Sequence, residues 1–229
     1  MEGGRKVLVL APHSDDETLG CGATIAKHVS LGDDVRVCVL TSIDFDHPVL
    51  KPNKEEIRRE TCEAMSILGV ERGKVIFKDL PNLLLPDMPL HEVNRVVSEV
   101  IFDFKPEILY IPFMYDLHQD HRSVAYAAQV AARTCTEVGR NIREIYMYET
   151  LSETHWNAMQ LEGGFEPNVY NDVTGFMKLK LDAVRAYKSQ LKEFPNIRCV
   201  EALESLAILR GGIAGMLEAE AFVLVRKLM

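Results

Sequence analysis

The chain has 229 residues, 47% of them hydrophobic, with a formal net charge of −8. That apolar share supplies one large core, and a net negative chain without a lysine/arginine stripe excludes nucleic acid as the partner. No apolar run approaches the length needed to cross a bilayer, and the start lacks the zones of a secretory leader, so a protein with no membrane span is expected.

In chain order, Lys6–Leu10 reads as a buried strand and Leu19–Leu31 as a helix closed by Gly32. Val35–Leu40 is a β-branched strand, and Lys54–Leu68 a helix stopping at Gly69. The segment "EEIRRE" within it mixes signs and reads as a solvated helix face. A short strand, Val75–Phe77, leads into the proline-punctuated loop "DLPNLLLPDMP". Helix His91–Phe104, strand Ile108–Ile111, alanine-rich helix His121–Arg133 and strand Ile145–Tyr148 follow. Strands alternating with amphipathic helices predict an α/β fold, a mostly parallel twisted sheet with helices on both faces.

The last third changes rhythm. "VYNDVT" reads as a strand, Phe176–Leu191 as a helix, Val200–Arg210 as a helix ended by Gly211 and Gly212, and Ala221–Val225 as a closing strand. No Pro/Gly/Ser-rich linker sets it apart, so residues 1–229 read as a single domain with a C-terminal elaboration. The five cysteines are scattered and odd in number, without a C-x-x-C. That usage fits reduced thiols and a cytoplasmic location.

Two loops concentrate metal-ligand residue types. His13-Ser14-Asp15-Asp16 follows the first strand, and Asp116-Leu117-His118-Gln119-Asp120-His121 follows the fourth. In a doubly wound sheet of order 3-2-1-4-5 those strands are neighbours at the reversal of strand order, where ligands bind beyond the carboxyl ends. His13 and Asp16, three apart across a turn, face one point. A histidine from the second loop completes a two-His, one-carboxylate set with an open fourth position, the pattern of catalytic zinc. The adjacent Asp15 and Asp16 do not share one direction, so one carboxylate is left as a general base. The remaining histidine is placed to stabilise an oxyanion or protonate a leaving group, with Asp120 orienting it. Each motif alone is equally well a solvated turn, with Asp16 or Thr18 capping the next helix. Gly20-x-Gly22 lacks the third glycine of a dinucleotide loop, and the carboxylates before it would repel a pyrophosphate.

"APHSDDETLGCGATIAKH" resembles the A-H-P-D-D-E opening motif of the LmbE/PIG-L family of zinc-dependent N-acetylglucosamine deacetylases, and "DLHQDHRSV" resembles its H-x-D-H motif. The likeness runs on through "IRRETCEAMSILGV", "YKSQ", "VEALESLAILRG" and "AEAFVLVR", nearly the whole chain. Ser14 stands where the family has proline and Ala23 where it often has glycine; neither change removes a ligand. The resemblance implies a Rossmann-like fold with one divalent ion, Zn2+ or alternatively Fe2+, on His13, Asp16 and His121. It implies Asp15 as general base, His118 as the charged oxyanion stabiliser and Asp120 as the group that holds His118. A substrate-gripping arginine is expected at Arg58 or Arg59.

The expected reaction releases acetate and a free amine from an N-acetylglucosamine-type small molecule. Alternatives are an amidase acting on another N-acylated sugar or thiol conjugate, and a non-catalytic metal- or sugar-binding protein. A homo-oligomer is left open, since related folds often assemble. Elsewhere, His28 reads as packing, His47 as a solvated loop residue and His91 as a helix start. His155 and Trp156 offer a stacking face, although a lone tryptophan more often packs. Glu17 reads as a helix-start residue, Cys21 as an inert thiol, and Tyr187 and Lys188 as packing and solvated helix positions.

Overall fold

The computed structural model describes residues 4–43 and 53–229; His47 lies outside them. The elements in order are β1 (Lys6–Ala11), α1 (Asp16–Ser30), β2 (Asp34–Ser42), α2 (Lys54–Ile67), β3 (Val75–Pro81), α3 (Leu90–Phe104), β4 (Ile108–Pro112), α4 (Gln119–Ala131), α5 (Glu137–Asn141), β5 (Glu144–Tyr148), α6 (Leu151–Thr154), α7 (Met159–Glu162), β6 (Val169–Asp172), α8 (Met177–Val184), α9 (Val200–Ala214) and β7 (Ala219–Lys227). They build a seven-stranded sheet of order β3-β2-β1-β4-β5-β7-β6. The first five strands are parallel, and the β5–β7 and β6–β7 pairings are antiparallel. The expected α/β class and the neighbouring of β1 and β4 both hold.

The central strands are apolar on both faces because both are covered. Leu8, Leu10, Leu109 and Ile111 pack against α3 and α4. Val7, Val9, Ile108 and Tyr110 pack with residues of α1 and α2 on the other side. A third cluster joins Leu19 and Ala23 of α1 to Met177 and Leu181 of α8 and to Leu203 and Ala207 of α9. The elaboration therefore clamps α1 rather than standing apart.

Two differences from the sequence expectation bear on the site. Helix α1 starts at Asp16, not Leu19, because the carbonyl of Asp15 already accepts the amides of Thr18 and Leu19. The predicted helix Phe176–Leu191 ends at Val184. Beyond it the chain is tied to other elements: Tyr187 donates its hydroxyl to Glu17, and Ser189 donates its amide and hydroxyl to Glu60 at 3.0 and 2.6 Å. Gly20 is required by close approach. A Cβ there would meet the Tyr148 ring at 2.2 Å, and that ring is fixed by its hydroxyl bond to Leu10 O at 2.9 Å.

Candidate metal centre and active site

The turn after β1 is shaped by its own polar groups. The amide of His13 donates to Asp16 Oδ2 at 2.9 Å, closing the turn. Asp15 sits at φ 105, a region that costs a non-glycine residue about 1–3 kcal/mol. It is held there from both sides: its amide donates to Glu17 Oε2 at 3.2 Å, and its carbonyl starts α1. On the β4 side, Asp116 is buried and accepts from His121 Nδ1 at 2.8 Å, and the His118 side chain caps α4.

The two loops meet. His13 Nδ1 lies 3.2 Å and His121 Nε2 3.1 Å from Asp16 Oδ2. Ligand atoms of His13, Asp16 and His121 all fall within 4.8 Å of one another. Among the described residues Asp16 Oδ1 and His121 Nε2 are buried without a hydrogen-bond partner, a costly state for polar atoms unless an ion satisfies them. Asp15, Asp16, Glu17, Asp116 and Asp120 are all buried here, interleaved with His13, His121 and Arg198. Two imidazoles, one carboxylate and an open side match a catalytic divalent ion. These three side chains could hold a metal.

A second group, His13, His118 and Asp120, also has ligand atoms within 4.8 Å, but it shares His13 with the first. Asp120 Oδ2 lies 3.0 Å from His13 Nε2 and also accepts the Leu83 amide at 2.8 Å, while Oδ1 accepts the Leu85 amide at 3.1 Å. Asp120 thus orients His13 toward Asp16, as carboxylates orient metal-bound histidines. This corrects the expectation that Asp120 holds His118. The link between those two is through the backbone: the Asp120 amide donates to His118 Nδ1 at 3.1 Å. That bond leaves the proton on His118 Nε2. Burial and the neighbouring His13 and His121 push the His118 pKa down to about 4. Nε2 is therefore the nitrogen of this ring placed to donate.

Asp15 has the opposite surroundings. Burial pushes its carboxyl up to about 7 against the pull of Arg198, and Asp16 and Glu17 add to the rise. A carboxylate near neutrality suits a general base. Arg198 Nη1 stands 3.2 Å from Asp15 Oδ2, and Nη2 stands 3.5 Å from Glu153 Oε1. Sequence reading missed Arg198: it is far along the chain in an irregular segment, and no local spacing marks it. Asp116 was visible only as part of an acidic loop; its position five residues before His121 was the available signal.

The two candidate arginines separate. Arg58 lines a cleft beside His13 with Ser14, Thr41, Asn82 and Gln190. It is braced by Asp79 at 2.5 Å and stacks over Phe77 at 4.9 Å. Arg59 is 72% exposed and, among the described residues, pairs with Glu56 at 3.8 Å. Glu17 lies in the first turn of α1, as expected, and is buried, with Tyr187 and Thr18 donating to it. Trp156 is 62% exposed, not packed. His155 is bound to Glu149 at 2.9 Å and His28 is buried between Asp33 and Tyr110. Burial raises the Cys21 thiol well above its usual range, which leaves it inert.

Residues 8–132 match the family model described as PIG-L, GlcNAc-PI de-N-acetylase. The chain is 28% identical over 226 residues to a diacetylchitobiose deacetylase of Thermococcus kodakarensis, covering 94% of this chain and 81% of that protein. It is 31% identical over 192 residues to the uncharacterized deacetylase YaiS of Escherichia coli, covering 80% and 90%. Among solved structures, the conserved protein TT1542 from Thermus thermophilus superposes with a TM-score of 0.77 at 26% identity, covering 98% of this chain and 96% of that one.

Proposed function

The chain belongs to the PIG-L family, and on that premise we propose that residues 1–229 form one catalytic domain that removes the N-acetyl group from an N-acetylglucosamine-type small molecule. Acetate and a free amine are the products. The observation that carries this reading is the pairing of a ligand set, His13, Asp16 and His121, with a spare buried carboxylate, Asp15, in the same turn. Binding alone requires no spare base. The named activities of a T. kodakarensis relative and of the family model support the acetylated amino sugar as substrate.

We assign zinc to the His13, Asp16 and His121 donors, with iron(II) as the ion the same donors also accept. A divalent ion there supplies Lewis acidity, polarising the amide carbonyl and making water more acidic. Asp15 takes the proton of the attacking water. The Nε2–H of His118 donates to the oxyanion that forms on the amide carbonyl. Asp15 then returns its proton to the departing nitrogen, so the C–N bond breaks with a neutral amine leaving. Arg58 grips the sugar at the cleft beside His13, and Arg198 keeps the Asp15 carboxylate aimed at the water. The reaction is proposed for the cytoplasm. A panel of N-acetylated amino sugars, assayed for acetate, tests the reading; a panel without turnover by the metal-loaded chain would refute it.

A further inference from the structure

We propose a second ligand site, for a small hydroxylated anion such as a hexose phosphate, in a cavity at the end of the sheet opposite the metal centre. It goes beyond the deacetylase reading and does not depend on it.

The cavity has a volume of about 260 Å³. A cavity of about 150 Å³ admits a benzene ring, so this one admits a six-membered ring with substituents. Its wall includes Arg5, just before β1, and Ile108 and Glu144, the first residues of β4 and β5. The end of α1, with Lys27 and His28, forms one side and β6 the other. Lys27 Nζ crosses between them, donating to Asn171 Oδ1 at 2.8 Å and to Asp172 O at 2.6 Å. Strand β1 is six residues long, so at about 3.3 Å per residue the turn that carries His13 lies about 20 Å away. The cavity is separate from the cleft beside His13.

The polar atoms in the wall select the ligand by what they have left unpaired. Asp33 Oδ2 stands 2.6 Å from His28 Nδ1, which therefore carries the ring proton. Burial favours the neutral imidazole, so Nε2 is an acceptor. Tyr110 Oη, 3.0 Å from Nε2, donates to it. Tyr146 in the same way gives its proton to Glu144 Oε2. His28, Tyr110, Tyr146 and Glu144 all line the cavity. Both phenol protons are committed, and each oxygen retains only acceptor capacity. The two tyrosines are paired across β4 and β5, with ring centroids 5.3 Å apart. Two acceptors side by side suit hydroxyl groups on neighbouring carbons of a sugar.

The cations have donors to spare. Both partners of Lys27 Nζ are neutral, its third N–H is uncommitted, and among the described residues it makes no ion pair. Arg5, at the mouth, stands 3.5 Å from Asp33 Oδ2. The nearby acids are already engaged: Asp33 by His28 and by the Arg5 amide at 2.8 Å, and Glu144 by Tyr146 and by Lys227 at 3.4 Å. One anionic group on Lys27 and Arg5 completes this set. A purely apolar ring would bury the phenol oxygens and the Lys27 N–H without partners, at a cost. A cationic ligand would meet Lys27 and Arg5.

Isothermal titration calorimetry of the full chain with glucose, inorganic phosphate and glucose 6-phosphate tests the site. Glucose 6-phosphate should bind at least about tenfold more tightly than either half, because the charge-assisted and hydroxyl bonds then act together. Lys27→Gln should weaken glucose 6-phosphate about 10–100-fold, and Tyr146→Phe, which keeps the ring and removes the acceptor, about 2–10-fold. Arg58→Ala, in the cleft beside His13, should leave this affinity unchanged. No binding of glucose 6-phosphate by calorimetry and by thermal shift would overturn the proposal. So would phosphate binding as tightly as glucose 6-phosphate, since the tyrosines would then have no part. Affinity lost in Arg58→Ala and kept in both Lys27→Gln and Tyr146→Phe would place the ligand in the cleft and also overturn it.

Discussion

Asp120 and His13, 107 residues apart in the chain, are joined by a 3.0 Å contact from Oδ2 to Nε2. That contact turns Nδ1 of His13 toward Asp16, 3.2 Å away. It makes Asp120 a positioning residue for a side chain of the proposed metal site. Replacing Asp120 with Ala should weaken metal affinity about 10–100-fold, the usual cost of losing a carboxylate behind a ligating histidine. Competition against a chelator of known affinity measures it. Unchanged metal affinity with lost turnover would move the role of Asp120 to the reaction itself.

Asp15 should behave differently. Asp15→Asn keeps the size of the side chain but removes the base. Turnover should fall about 10²–10⁴-fold, while metal content, read by elemental analysis, stays at the wild-type level. Arg198→Ala should lower kcat by a smaller factor without loss of metal, because the carboxylate remains but loses the guanidinium 3.2 Å away.

Arg58 and Arg59 give a neighbouring pair with opposite expectations. Arg58 lines the cleft beside His13, so Arg58→Ala should raise KM about 10–100-fold, the equivalent of one charge-assisted hydrogen bond. Arg59 is exposed and pairs with Glu56 among the described residues, and Arg59→Ala should leave both kcat and KM unchanged. Steady-state kinetics on one substrate separates the two.

The buried Glu149 sets an acid limit on stability. It accepts from Arg210 Nη2 at 2.7 Å and meets His155 Nε2 at 2.9 Å. Burial alone would raise its pKa, but His155 and Arg210 outweigh burial and hold it below its ordinary 4.5. Because the folded pKa is the depressed one, the stabilisation is complete above about pH 4.5 and is lost as pH falls through the folded value. Chemical denaturation between pH 6 and pH 3 should show this decline in the wild type. In Glu149→Gln the decline should be shallower, and stability at pH 7 should drop by about 3 kcal/mol, the cost of leaving Arg210 without its buried partner.

Periodicity and turn residues were enough to place the parallel half of the sheet, since apolar runs and amphipathic helices are local signals. The candidate site was readable because His13, Asp15, Asp16, His118 and His121 sit in two short segments, each a turn running into a helix, at neighbouring strand ends. What stayed hidden depends on distant pairing. Glu17 reads as a helix-start residue and is one, but its burial under Tyr187, 170 residues on, shows only in the fold. The end of α8 at Val184 is fixed by Glu60 and Glu17, which hold Ser189 and Tyr187. Asp120 reads as a partner for His118 by proximity in sequence, yet the fold brings it to His13.

The most direct test is acetate formation from an N-acetylglucosaminide by one preparation in three states: zinc-loaded, stripped by chelator, and zinc-restored. Acetate with an equimolar free amine should appear in the first and third states only, and His121→Ala should stay silent in all three while retaining its fold by circular dichroism. Equal acetate production by the stripped chain, or full activity in His121→Ala, would contradict a metal-dependent deacetylase centred on His13, Asp16 and His121.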